Sequence, residues 1–361
     1  MKIELQNSLS DMNEGAKEFE AYKEAWKRRV KKEPAWLQER AQYLEMLDEG
    51  LIFEALDLMR DDPELFLSLF FYWRKRGLRW HADVKVSTDE RSEYPENDFL
   101  LMEIEFWRTV IAMDFPLPLG QTNLYDSLVL KAFGEVPVDM LTEKEKKILI
   151  EISLQEVEIP YYSMQDLLVG RYAVTNVLWD FVMGKDDVGG ATLPKVNVNW
   201  WECIEFCNKL SSKVKPSLRP YYVAETEREL REQMKDFGDE IDTRGADAGG
   251  YRLLDQEQWW FVSGDQHPPY PTAWFAENSD GIVHPIGQMA MNKNQTFDMA
   301  GNVSEWTETQ DEDNPRYISI STGNADSQSW AVGVGSFDHV SYQTQEGLLG
   351  FRICRTLPPR F

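Results

Sequence analysis

The chain has 361 residues, with 38 Lys and Arg against 62 Asp and Glu, so its formal net charge is −24. This length predicts two domains of about 100–200 residues each, and the 42% hydrophobic content supplies enough apolar side chains for a sizeable core. The negative charge repels phosphate backbones and anionic lipid, which disfavours binding to nucleic acid or to a membrane surface.

Two further features bear on the compartment. The N-terminus runs from Met1 into polar sequence without the apolar stretch of a signal peptide, and no segment approaches the about 20 apolar residues that a membrane span needs. The cysteines Cys203, Cys207 and Cys354 form a sparse, odd set, which is typical of a reducing compartment. We therefore expect a cytoplasmic protein without a membrane partner.

The first part of the chain predicts helices. Apolar residues recur at three- and four-residue spacing in Glu18–Val30, Trp36–Leu56, Pro63–Arg76, Asp98–Met113 and Thr142–Glu156. Thr142 and Glu145 have the spacing of a capping box, in which each side chain bonds the backbone N–H of the other residue. We predict an all-α helical domain over residues 1–157.

Beyond Ile159 the pattern is mixed. Short β-type runs occur at Val169–Val174 and Lys195–Val198, and Ala224–Asp247 predicts a helical insertion or a mobile loop. Three further helix starts are predicted from capping residues: Thr175 before Val177–Met183, Asn199 with Glu202 before a helix that ends at Leu210, and Asp255 with Gln258. A tight Gly-Asn turn is predicted within Phe297–Trp306, and a short strand in Gly350–Arg355.

These segments together resemble the formylglycine-generating enzyme family, also called sulfatase-modifying factor domains. The family motifs occur in order at Gly170–Asn176, Pro194–Leu210, Tyr251–Trp259, Phe297–Trp306 and Gly350–Arg352. The stretch from Trp274 to Gln288 is also similar to the family. The resemblance implies an α+β fold overall, in which the all-α N-terminal domain is followed by a C-type-lectin-like, formylglycine-generating-enzyme-type domain over residues 158–361.

The catalytic residues of the family are not carried over with the fold. Its copper enzymes use a pair of cysteines shortly before the closing Gly-Phe-Arg, and copper(I) needs such soft ligands, but residues 316–349 contain no cysteine. Cys203 and Cys207, at i and i+4, are interpreted as core residues. The related sulfoxide synthases hold iron with three histidines, whereas the histidines here are scattered. We expect neither copper nor iron, and we assign no catalytic residue.

Calcium is the cofactor that the resemblance implies. Family members bind it at positions matching Asp298, Gly301, Val303 and Glu305, where side-chain and carbonyl oxygens gather around a tight turn. Hard oxygen ligands of this kind suit Ca²⁺. The alternative interpretation is that Asp298 and Glu305 only cap and brace the turn.

With the fold motifs present and the catalytic residues absent, we predict a non-catalytic binding or regulatory protein in a bacterial signalling or defence system. It would recognise a partner protein, for which an acidic surface favours a basic one, through polar and aromatic residues of the C-terminal loops. The candidate contact residues are Asn324, Gln328, Trp330, Phe337, His339 and Tyr342. An ordinary solvated loop is the plain alternative for this segment.

The competing hypothesis is an enzyme of the same superfamily with altered, oxidoreductase-like chemistry. Its available residues are Trp330, Asp338, His339 and Tyr342. Asp338 and His339 are neighbours in sequence, and adjacent positions on a strand point to opposite faces, which argues against a working pair.

Overall fold

The computed structural model describes residues 43, 46, 104, 106–112, 123–161, 166–184, 189–235, 239–264, 273–327 and 337–357. The chain divides into two compact units, Met1–Pro116 and Leu117–Phe361. Residues 106–112 are helical, and the helices predicted before residue 98 lie outside the described part apart from isolated positions. The predicted boundary at residues 157 and 158 falls within the second unit, and the helical N-terminal domain remains a prediction. Among the described residues, no helix has the length and apolarity to cross a membrane.

The second unit combines helices with two sheets. Its described α-helices are α1 Asn123–Ala132, α2 Glu143–Ser153, α3 Asn176–Met183, α4 Trp200–Lys213, α5 Glu227–Gln233, α6 Gln256–Ser263 and α7 Ala276–Ser279, with short 3₁₀ turns at Val138–Met140 and Ala246–Ala248. Its strands are β1 Glu156–Ile159, β2 Leu167–Gly170, β3 Arg252–Leu253, β4 Ser304–Gln310, β5 Tyr317–Ser321, β6 Phe337–Ser341, β7 Leu349–Phe351 and β8 Ile353–Thr356.

Each sheet has four strands. One has the order β1-β2-β8-β3, with antiparallel neighbours throughout. The other has the order β6-β5-β4-β7, in which only β4 and β7 run parallel. The closing strands β7 and β8 lie on either side of Arg352, so this residue connects the two sheets.

The predicted caps begin the helices as expected. Thr142, Asn199 and Asp255 each form a capping box, and the Thr175 hydroxyl accepts the backbone N–H of Leu178. A cap satisfies a backbone N–H that has no partner within the helix, so these four contacts determine where the helices start. The helix predicted to end at Leu210 continues to Lys213.

Helices α3 and α4 pack on the second sheet through aromatic rings. Trp179 and Phe206 stack with ring centroids 5.5 Å apart, and Phe351 of β7 meets the edge of both rings. The indole N–H groups of Trp200 and Trp306 are also satisfied, because they donate to backbone carbonyls at 2.8 and 2.9 Å. Large buried rings with bonded polar tips explain how short elements form a stable core here.

Two predicted strands differ in the structure. The strand expected over Val169–Val174 ends at Gly170, and Lys195–Val198 belongs to no strand but contributes backbone bonds at the edge of the core. The segment Ala224–Asp247, predicted as a helical insertion or a loop, contains α5, capped by Thr226.

Candidate functional site

The turn before β4 holds residues in unusual backbone conformations. Asp298 and Asn302 have positive φ angles of 58° and 67°, and Gly301 lies so close to the backbone of Trp274 that a Cβ atom would clash with its carbonyl oxygen at 2.3 Å. Asp and Asn tolerate the left-handed region better than most side chains. The sequence Asp-Met-Ala-Gly-Asn therefore suits this turn on steric grounds alone.

Asn302 fastens the turn to the segment that contains His284. Its side-chain oxygen accepts the His284 backbone N–H at 2.9 Å, and its amide group donates to the His284 carbonyl at 3.0 Å. The His284 ring stacks on Trp274, with centroids 3.9 Å apart. Two motifs that are separate in sequence, the Gly-Asn turn and the segment from Trp274 to His284, are thus held together by hydrogen bonds and ring stacking.

Glu305 lies in a fully buried ion pair with Arg352. The Arg352 Nη2 atom is 2.9 Å from Glu305 Oε1, and its Nε atom is within 3.3 Å of both carboxylate oxygens. The Trp259 indole N–H donates to Glu305 Oε2 at 2.7 Å. Arg352 also donates to the carbonyls of Gly170 and Phe297. Three family motifs meet at this single carboxylate.

Asp298 is buried with an incomplete set of partners. One carboxylate oxygen accepts the Gly287 backbone N–H at 2.9 Å, and the other oxygen has no hydrogen-bond partner within the described residues. Burial raises the pKa of Asp298 to about 6, against the opposing effects of the Gly287 N–H and the Arg352 guanidinium. This carboxyl group carries a desolvation cost that its neighbours only partly offset.

The predicted partner-contact residues do not share one environment. Asn324 is half-buried, and its side chain braces its own turn by bonding Ser304, Asp326 and Ser327. Phe337 is half-buried with its ring against the edge of Trp259, 5.5 Å between centroids. His339 is exposed on β6. Gln328 and Trp330 lie outside the described residues.

Tyr342 differs from the prediction of an exposed contact residue. It is only 6% exposed and belongs to the main core. Two backbone hydrogen bonds hold Tyr342 against the core: its N–H donates to the Arg316 carbonyl, and its carbonyl accepts the Trp200 N–H. The C-terminal part of the chain that was predicted to present these residues on loops is likewise not loop throughout, because it contains β6 and the end of β5, where Ser319 and Ser321 are buried.

Strand β6 ends its sheet and presents an outer edge. Ser319 of β5 lies opposite His339, and the Ser319 carbonyl accepts the Thr307 hydroxyl on the β4 side. Backbone groups alternate sides along a strand, so His339 directs its own N–H and C=O away from β5. Its N–H donates to the Asp338 carboxylate at 2.8 Å. Within the described part of the chain, no strand covers this edge.

Comparison with known proteins assigns the second half of the chain to a family. The family model of the "Sulfatase-modifying factor enzyme 1-like domain" matches residues 174–357, about half of the chain. The chain belongs to this family. The resemblance stated from the motifs is thereby confirmed, and the ion pair between Glu305 and Arg352 lies within the sulfatase-modifying factor domain.

The chain is also similar to several individual proteins. A chaperone protein, LppX of Paenibacillus barcinonensis, is 28% identical over an alignment of 220 positions, and the match covers 52% of this chain and 72% of LppX. Among solved structures, variable protein 1 of Treponema denticola is 22% identical and covers 55% of this chain and 94% of its own, with a TM-score of 0.45. CarF is 16% identical and covers 56% and 97%, with a TM-score of 0.40.

The oxygen atoms of the sulfatase-modifying factor domain fit calcium only in part. The unpartnered oxygen of Asp298 suits a cation, but four N–H···O contacts from Arg352 and Trp259 occupy the Glu305 carboxylate. A carboxylate offers about four lone-pair positions, so Glu305 would have to leave Arg352 to bind a metal ion. The set Asp298, Gly301, Val303 and Glu305 therefore does not fit Ca²⁺ in this conformation, and calcium binding stays a prediction.

The cysteines of the sulfatase-modifying factor domain lie in its core. Cys203, Cys207 and Cys354 are fully buried and reduced, which confirms their interpretation as core residues. Burial raises the pKa of each thiol, that of Cys354 to about 12. Copper(I) binds the thiolate form, and burial disfavours this charged form at all three positions.

Two arginines were missed at the level of sequence. Arg231 of α5 and Arg316, just before β5, line one cleft together with the end of β6. They are separated by 85 positions, and neither belongs to a family motif. Only the fold of the insertion against β5 and β6 brings them together.

Proposed function

We propose that this chain is a non-catalytic binding protein built on a sulfatase-modifying factor domain, which recognises a partner protein beside β6. The observation that carries the proposal is the outer edge of this strand, where Asp338 and His339 are exposed and His339 directs its backbone groups outward. An extended segment of a partner pairs readily with such an edge, because main-chain hydrogen bonds supply affinity and neighbouring pockets supply specificity.

The bond between the His339 N–H and the Asp338 carboxylate is part of this interpretation. An uncovered strand edge invites unspecific pairing, and charged residues on the edge are a common protection against it. Asp338 occupies one outward donor, so a binding segment must compete with this carboxylate. The Asp338 carboxylate therefore protects the edge against unspecific pairing but leaves it accessible, as expected for a surface that pairs only with a suitable sequence.

Two further observations support a binding role. Residues 316–349 contain no cysteine, and the cysteines elsewhere are buried. In addition, the relative LppX is named as a chaperone protein, and such a protein acts by contacting another polypeptide. The formal charge of −24 favours a partner whose surrounding surface is basic.

The finer predictions belong to the same proposal. We propose a C-type-lectin-like scaffold for the family domain, an all-α domain before it, a cytoplasmic location and a role in bacterial signalling or defence. Of the four residues named for the competing enzyme hypothesis, Asp338 and His339 are neighbours on β6. Successive side chains on a strand point to opposite faces of the sheet, and the Asp338 carboxylate bonds the His339 backbone rather than its ring. Both facts argue against a catalytic pair.

The test is affinity capture from the native host with the full chain and two variants at one position. His339→Pro removes the outward N–H without removing a bond to β5, because that N–H lies on the outer side. His339→Ala is the matched control, which removes the side chain but keeps the edge. We expect the wild type and His339→Ala to capture the same stoichiometric partner and His339→Pro to lose it, with equal thermal unfolding of all three.

Capture that survives His339→Pro at full strength would show that the edge of β6 is not the recognition surface. Metal content and thiol-dependent oxygen consumption, measured on the same sample, test the enzyme hypothesis directly. Copper or iron together with oxygen consumption, and no captured protein, would replace the binding proposal with a catalytic one.

A further inference from the structure

A cleft of about 500 Å³ lies at the end of β6. Its volume is within the range of small-ligand sites. The lining residues come from α5, from the turn before β5 and from the end of β6, and they are Arg231, Asn314, Arg316, Tyr317, Ser341, Tyr342 and Gln343. Its lining contains two guanidinium groups and no carboxylate.

Arg316 has most of its hydrogen-bonding capacity available. Its Nε atom donates to the Met234 carbonyl at 3.3 Å, and this single bond fixes the side chain beside the cleft. Its two Nη atoms have no partner among the described residues. In the preceding turn, one oxygen of Asp311, Oδ1, accepts the backbone N–H groups of Asp313 and Asn314, which holds this carboxylate to its own turn. Arg316 thus presents a positioned fork of N–H donors.

Arg231 of α5 also lines the cleft. Its guanidinium pairs with Glu227 one turn earlier on α5, at 2.5 and 3.2 Å. The pairing with Glu227 orients this arginine and neutralises much of its charge. Arg316 is therefore the main source of positive charge, while Tyr317, 43% exposed, supplies an aromatic wall.

We propose that this cleft binds a carboxylate group of the partner polypeptide, as an anchor beside the edge of β6. A guanidinium fork matches the two oxygens of a carboxylate, and such charge-assisted bonds are among the stronger ones in proteins. On a chain of net charge −24, the lining of this cleft has two arginines and no acidic side chain, which favours binding of an anion here.

The inference rests on the proposed function and makes it more specific. Ser341 ends β6 and lines the cleft, and Tyr342 follows it. A segment that pairs with the outer edge of β6 and continues beyond Ser341 would therefore reach the cleft. The partner would combine a basic surrounding surface with an acidic side chain or a carboxyl terminus at the position that meets the cleft.

The experiment is a titration of the full chain with three small probes, followed through the backbone amide resonances of residues 341–343. N-acetylaspartate amide carries a side-chain carboxylate, N-acetylalanine carries a terminal carboxylate, and inorganic phosphate is the competing anion. We expect saturable shifts with at least one carboxylate probe beyond those in sodium chloride of equal ionic strength, and the better probe identifies which kind of carboxylate the cleft prefers.

Substitutions test whether carboxylate binding depends on Arg316. Arg316→Gln is expected to weaken carboxylate binding by about tenfold or more, because it removes a charge-assisted bond. Arg228→Gln is the matched control, since Arg228 is exposed on α5 and does not line the cleft, and it should bind as the wild type does. Arg231→Gln serves as the second variant if Arg316→Gln fails to fold, which its thermal unfolding reveals.

Absence of saturable shifts with both carboxylates overturns the inference, as does equal weakening in the two variants Arg316→Gln and Arg228→Gln. Saturable binding of phosphate alone overturns the assignment to a carboxylate. The probes contain no partner protein, so carboxylate binding without any captured partner would leave the cleft in place and defeat only the proposed function.

Discussion

Single residues decide how the family domain is held together, and Arg352 is the clearest case. It pairs with Glu305, and it also donates to two carbonyls that belong to other segments. Removing it leaves the buried Glu305 carboxylate without a counter-charge, although the Trp259 N–H still donates to it. We expect Arg352→Met to lower the free energy of unfolding by about 3–5 kcal/mol, measured by urea denaturation.

The control for this prediction is Arg355→Met on the adjoining strand β8. Arg355 pairs with Glu156 at 2.7 Å, but its side chain is 23% exposed, so the loss should be clearly smaller. The double variant Glu305→Gln with Arg352→Met should lose less than the sum of the single losses, because the two groups interact directly. An equal effect of the two arginine substitutions would contradict the assigned role of the buried pair.

Asp298 predicts a pH dependence of stability. Its folded pKa of about 6 lies above its usual value of 3.8, so the folded chain binds this proton more tightly than the unfolded chain. The favourable contribution is complete below pH 3.8 and is lost as the pH rises through 6. Asp298→Asn keeps the left-handed turn and the acceptor for Gly287. Between pH 4 and pH 7, the free energy of unfolding of this variant should therefore rise relative to that of the wild type by up to about 3 kcal/mol.

The same variant tests calcium. If Ca²⁺ binds at Asp298, the ion supplies the missing partner of its carboxylate and raises the melting temperature of the wild type at pH 7. A chelator should reverse this rise, and Asp298→Asn should not show it. A calcium-dependent rise that persists in Asp298→Asn would place the ion elsewhere, and a wild type that does not respond to calcium would remove the prediction.

At the scale of elements, caps have different consequences for a packed helix and for a surface helix. Asn199 begins α4, whose apolar face is buried, whereas Thr226 begins the short α5, where only Leu230 is buried. Asn199→Ala should lower the global free energy of unfolding by about 1 kcal/mol. Thr226→Ala should mainly speed hydrogen exchange within α5. A global loss of equal size in both variants would mean that α5 is part of the cooperative core.

Local features of the fold were predictable from the sequence, and contacts between distant residues were not. Thr175, Asn199 and Asp255 were found because a cap acts within three residues. By contrast, the pairing of Glu305 with Arg352 and the meeting of Arg231 with Arg316 depend on how strands are ordered. The burial of Tyr342 was missed for the same reason, since its contacts with Arg316 and Trp200 are long-range.

At the scale of the whole molecule, the net charge of −24 has its own consequence. Charges of one sign repel each other in the compact state, and salt shortens the range of this repulsion from about 30 Å at 0.01 M to about 10 Å at 0.1 M. We expect the melting temperature to rise over this range of sodium chloride, because the salt weakens the repulsion between surface charges. The buried pair of Glu305 and Arg352 is screened much less, so its stabilising contribution remains. A fall in melting temperature would instead show that exposed ion pairs, such as Lys209 with Glu205, contribute more than the overall repulsion costs.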